Sequence, residues 1–123
     1  MSIVPNRSQF AQLAAAPDEG PVVMLNLLKF KPGDGQDEFR QYGDSAKKMV
    51  EARGGKLLWQ GRPQQTLIGD EDVDAWDYVA LVEYPSRKTF IEMVTNADYM
   101  KAHEHREAGV DRTVLLACRA VEF

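Results

Sequence analysis

The ten residues Pro21–Phe30, PVVMLNLLKF, constrain the fold more than any other stretch of the chain. Val22, Met24 and Leu28 alternate with Val23, Leu25 and Leu27, so an extended strand here is apolar on both of its faces. The run Tyr78–Val82, YVALV, reads the same way. Strands of this kind belong in the middle of a sheet covered on both sides, and the fold must supply both covers. Asn26 interrupts the first strand. Its amide must find hydrogen bonds or cost about 1–3 kcal/mol, so it faces either a polar pocket or a backbone group.

The rest of the chain supplies a regular alternation. SQFAQLAAA predicts a short helix that Ser8 caps and Pro17 ends. KPGDG demands a turn after the first strand, and DEFRQYGDSAKKMVEARGG then predicts a helix. In that helix Phe39, Tyr42, Ala46, Met49 and Val50 form the apolar stripe, with Gly54 or Gly55 as the left-handed cap. KLLWQGRPQQTLIG is a strand whose Pro63 places it at a sheet edge or breaks it at a bulge. The acidic DEDVDA is a hairpin loop.

WDYVALVEY is the next strand, and Ser86 caps a helix with Phe90, Met93, Val94 and Ala97 on its inner side. The stretch YMKAHEHREAG continues that helical region, and RTVLLACRAVEF is the last strand. The order β-α-β-β-α-β predicts an α+β, ferredoxin-like fold with an antiparallel four-stranded sheet. At 123 residues the chain fits one domain, with residues 1–19 as an N-terminal helical extension and 20–123 as the ferredoxin-like unit.

Right-handed crossovers put both main helices on one face of such a sheet. The other face stays apolar and uncovered, so a homodimer packed sheet to sheet is expected. The alternative cover is the N-terminal helix, but about nine helical residues shield too little area.

Composition narrows the partners. Fifteen Lys and Arg against nineteen Asp and Glu give a formal charge of −4, with no basic run interleaved with aromatics, so no nucleic-acid partner is expected. No apolar run approaches a membrane span and the first residues do not read as a secretory leader, so a cytoplasmic location and no membrane partner are expected. Cys118 cannot pair within the chain and sits in an apolar segment, which reads as a small buried hydrophobe. The run Asp70, Glu71, Asp72, Asp74 lacks the glycine and terminal glutamate of a calcium loop.

The two histidines, His103 and His105, flank Glu104. On a helix they point about 200° apart and cannot share a metal ion, so no metal site is expected. The wheel puts His103 and Arg106 inside with Tyr99, Met100 and Ala102, and turns Lys101, Glu104 and His105 outward. An inward histidine is a core or capping group unless it works on a ligand. A buried Arg106 needs an anion, either a ligand carboxylate or Glu83 or Asp111. Tyr42, Trp59 and Tyr84 are placed to line a pocket with it, unless they are plain core.

GPVVMLNLLKF, GGKLLWQG, WDYVALVEYPSRKTFIEM and HREAGVDRTVLL, in this order, resemble the bacterial domain of unknown function 1330, within the dimeric α/β-barrel superfamily. The resemblance covers most of the chain from Gly20 onward. It implies a homodimer with one small-molecule pocket per subunit between sheet and helices. Similar folds include cofactor-independent monooxygenases, muconolactone isomerases and haem-degrading enzymes. NADYMKAHEH also looks like the helix end of the haem-degrading relatives, which implies His103 as an iron ligand and Asn26 as the strand asparagine. Met93 stands where those relatives carry a tryptophan, which counts against haem as the cofactor.

Three functions follow. The first is a small-molecule site of monooxygenase-like or isomerase-like chemistry, with His103 as acid or base, Asn26 as orienting group, and Arg106, Tyr42, Trp59, Tyr84 and Met93 around the ligand. The second is haem binding or degradation. The third is a non-catalytic structural or ligand-binding dimer.

Overall fold

The computed structural model describes residues 4–17 and 20–122. Helix α1 spans Arg7–Ala15, strand β1 Val22–Phe30, α2 Gly35–Ala52, β2 Lys56–Gly61, β3 Tyr78–Tyr84, α3 Arg87–Val94, α4 Ala97–Gly109 and β4 Val110–Cys118. The strands form one antiparallel sheet in the order β2-β3-β1-β4. This is the expected α+β, ferredoxin-like arrangement. The two strands that read as apolar on both faces, β1 and β3, are the two central ones, and β2, followed by Pro63, lies at an edge.

Register assigns the two faces. Val22, Met24, Asn26 and Leu28 stand opposite Tyr84, Val82, Ala80 and Tyr78 and point toward the helices. Val22, Met24, Val50, Tyr84, Phe90 and Met93 form the buried cluster, with Leu13 of α1 packed against its margin. Val23, Leu25 and Leu27 turn to the opposite face with Glu83, Leu81 and Val79 of β3 and Cys118, Leu116 and Val114 of β4. Helix α1 packs on α3, on the helical side, and so leaves that opposite face open.

Local chemistry sets the helix limits. Asn6, not Ser8, caps α1: its Oδ1 accepts from the Gln9 N–H at 2.7 Å, and Gln9 returns the bond to the Asn6 backbone. The cap falls two residues earlier because Gln9 completes the reciprocal pair with Asn6. Gly54, at φ 80°, takes the left-handed position after α2.

The second crossover is not one helical run. Ser86 caps α3 as expected, but the chain breaks at Thr95 and Asn96 accepts from the Asp98 N–H at 2.8 Å to start α4. Helices α2 and α4 then lie side by side. At their junction the backbones of Gly35 and Gly109 touch, and a Cβ on Gly35 would lie 2.8 Å from the Gly109 carbonyl oxygen. Among the described residues no helix is long and apolar enough to cross a membrane.

Candidate functional site

Helix α4 carries both histidines and Arg106 and packs alongside α2 on the helical face of the sheet. Its residues 99, 103 and 106 follow one another at intervals of four and three, the spacing of one helix face. Arg106 is buried, with 7% of its surface exposed. Its guanidinium lies 6.0 Å from the centre of the Tyr42 ring on α2 and donates to Thr113 Oγ1 on β4 at 3.4 Å. Thr113 in turn donates to the Leu27 carbonyl at 2.9 Å, which fixes it against β1.

The hydroxyls of Tyr42 and Tyr99 lie 2.7 Å apart and the two rings meet edge to face. Burial pushes both phenols above their ordinary pKa, although the Arg106 charge pulls each of them down. Both therefore keep their protons at neutral pH. The two hydroxyls hold two protons and one hydrogen bond between them, so one proton is left to donate elsewhere.

His103 stacks beside Tyr99 with ring centres 5.9 Å apart. Its Nε2 lies 3.1 Å from Glu107 Oε1, one turn further along α4. Its Nδ1 is buried without a hydrogen-bond partner. Burial, and then the Arg106 charge, hold the imidazole below its ordinary pKa of 6.5, against the opposing pull of Glu107. A neutral ring beside a carboxylate must place its hydrogen on Nε2, because the carboxylate only accepts. The Nδ1 lone pair is then left facing inward. A base held in one tautomer by a carboxylate has the logic of a catalytic dyad.

The other expected residues divide. Asn26 faces the helices, and its Nδ2 donates to the Met24 carbonyl at 3.2 Å, the backbone satisfaction that its position allowed. No hydrogen bond among the described residues ties it to the His103 cluster. Tyr84 and Met93 are packed core, 5% and 1% exposed, with Tyr84 edge to face on Phe90.

Trp59 lies on the opposite face of the sheet from His103, across from Leu81, and is 56% exposed. The irregularity between Leu57 and Trp59 causes this: Leu57 pairs with Val82 on the helical face, and one extra residue turns Trp59 to the other side. Glu83 also lies on that far face, where it pairs with Lys56 at 3.8 Å instead of Arg106. His105 is half exposed and binds Glu38 of α2 at 2.9 Å. Met100, expected inside, is 61% exposed. Cys118 is partly exposed on the open face of the edge strand β4 rather than buried.

Sequence reasoning passed over Glu107 and Thr113 and did not single out Tyr99. The signal for Glu107 was its place four residues after His103 on a helix, and for Tyr99 its place four residues before. Thr113 carried no signal, because its role depends on sheet register.

Two grooves border α1, of about 160 Å³ beside Pro21 and Cys118 and about 360 Å³ beside Ile91, and neither is lined by His103 or Arg106. Neither nitrogen of His103 is presented as an iron ligand here: Nε2 is bonded to Glu107 at 3.1 Å and Nδ1 is buried. The loop acids serve the backbone: Asp70 Oδ1 accepts from the N–H groups of Asp72 and Val73 at 2.8 Å, which holds its carboxyl below the usual range. Among the described residues no cluster of three or more metal-ligating side chains exists.

Residues 31–119 match the family model described as domain of unknown function (DUF1330). A protein of unknown function from Rhodopseudomonas palustris is 35% identical over 98% of this chain and 97% of its own, with a TM-score of 0.92. A dimeric ferredoxin-like protein of unknown function from Jannaschia is 10% identical over 82% of this chain and 100% of its own, with a TM-score of 0.62. A putative antibiotic biosynthesis monooxygenase from Caulobacter crescentus is 17% identical over 84% of this chain and 92% of its own, with a TM-score of 0.60. No curated protein matches the chain.

Proposed function

The chain belongs to the DUF1330 family, and from that premise we propose that it is a homodimer binding a small carboxylate between α2, α4 and the sheet, with His103 as its acid–base group. One observation carries the reading. The imidazole is kept neutral, its Nε2 is fixed by Glu107, and its Nδ1 is buried with no partner in the protein. A lone pair held inward and unused is costly in a packed interior unless a ligand proton meets it.

Arg106 supports the anionic half of the reading. A buried guanidinium whose field reaches Tyr42, Tyr99 and His103 at once favours a ligand that brings negative charge among them. The putative antibiotic biosynthesis monooxygenase from Caulobacter crescentus, similar in fold, supports an enzymatic, monooxygenase-like reading over a purely structural one. The dimeric protein from Jannaschia and the open apolar sheet face support the twofold assembly.

A thermal-shift titration with acetate, pyruvate and benzoate tests the site. A rise in Tm for at least one of these with the wild-type chain, lost in Arg106→Met and reduced in His103→Ala, supports it. No rise with any of them, or equal rises in all three proteins, removes the anion site.

A further inference from the structure

The Tyr42–Tyr99 pair has no task in ligand binding alone, and its chemistry complements that of His103. We infer that Tyr99 is the acid opposite the His103 base, so that the site moves a proton between carbon and oxygen in a small carboxylate bearing a neighbouring carbonyl. This rests on the anion site proposed above and adds to it a reaction and a substrate class.

The geometry supplies both halves side by side. Tyr99 and His103 lie one turn apart on α4 with stacked rings, their centres 5.9 Å apart, and the His103 Nδ1 beside Tyr99 is buried without a partner. Tyr42 stands behind Tyr99 at 2.7 Å. When Tyr42 donates to Tyr99, the Tyr99 proton is the one left for a ligand oxygen. The Arg106 guanidinium, 6.0 Å from the Tyr42 ring, adds positive charge where the carbonyl oxygen gains electrons.

The step balances without an oxidant or reductant. His103 Nδ1 takes a proton from the carbon beside the carbonyl, and the released C–H electron pair becomes the C=C bond of the enol. The carbonyl π pair moves onto oxygen, which takes the Tyr99 proton, and the Tyr99 oxygen is held by the Tyr42 hydroxyl. The imidazolium so formed faces the Glu107 carboxylate, 3.1 Å from Nε2, and returns its proton when the step reverses. Tyr99 is thus a catalytic residue, and Tyr42 and Glu107 are positioning residues.

Proton–deuterium exchange at the carbon next to the carbonyl of pyruvate and phenylpyruvate, followed by proton NMR in D₂O with the full chain, tests this. The wild type should exchange faster than buffer. Tyr99→Phe and His103→Gln should each lose on the order of 100-fold of that enhancement. Tyr42→Phe should lower kcat with KM unchanged, a split that a structural role would not give, and His105→Gln should exchange as the wild type does. Tyr99→Phe should also keep the carboxylate thermal shift, which shows that it is folded and binding. A wild type that binds either probe yet exchanges it no faster than buffer overturns the acid–base pair and leaves the anion site standing. So does a Tyr99→Phe or Tyr42→Phe variant at full rate. A wild type that neither binds nor exchanges overturns both.

Discussion

At the scale of the residue, His103 links stability to pH. Its folded-state pKa is lowered from 6.5, first by burial and then by Arg106, while Glu107 opposes both and the facing tyrosines Tyr42 and Tyr99 stay neutral. Because the unfolded chain takes up this proton more readily, stability is held above pH 6.5 and falls as the pH drops below it, levelling off beneath the folded pKa. Urea unfolding of the wild type and His103→Gln between pH 5 and 8 should show a steeper acid-side decline in the wild type, and parallel curves would remove the linkage. Glu107→Gln should push the His103 pKa down further, which NMR titration of the ring reads directly. The residue types at this site were legible because a helical wheel places His103 and Arg106 together. The bond from Arg106 to Thr113 was not, since it joins α4 to a strand whose register no local pattern fixes.

At the scale of the element, the helices were legible from an apolar period of about 3.6 and the central strands from short apolar runs on both faces, bounded by turn residues. What escaped were single-residue punctuation marks. The break at Thr95 separates α3, whose Phe90 and Met93 enter the core, from α4, which runs against α2 and carries the site. Its cause is Asn96, an N-cap set inside a stretch that otherwise reads as continuous helix. Asn96→Ala should cost about 1 kcal/mol and lower Tm by a few degrees, read by circular dichroism during heating. An unchanged Tm would mean that packing alone sets the break. The bulge ahead of Trp59 is a second mark of the same kind, and it moves an indole from the site's side of the sheet to the far side. No composition or spacing announced it.

At the scale of the whole molecule, that displaced indole joins the surface that most needs a partner. Trp59, Leu81, Leu25 and Leu116 run across all four strands on the open face, and Trp59 and Leu116 are 56% and 48% exposed. Helix α1, the one element of the extension that offered another cover, packs against α3 instead. Burying several hundred Å² of this face on each subunit yields a drive on the order of 10 kcal/mol before association costs are subtracted. A charge in its centre reverses the sign, because an ionised carboxylate in a dry interface has nothing to pair with. The centre is Leu81, which lies between Leu25 and Trp59. Sedimentation at micromolar concentration should therefore give two copies for the wild type and one for Leu81→Glu, with the same far-ultraviolet dichroism in both. A wild type that sediments as one copy would leave the face without its proposed partner. The site on α4 would still be testable in that monomer, since the residues that build it all come from one chain.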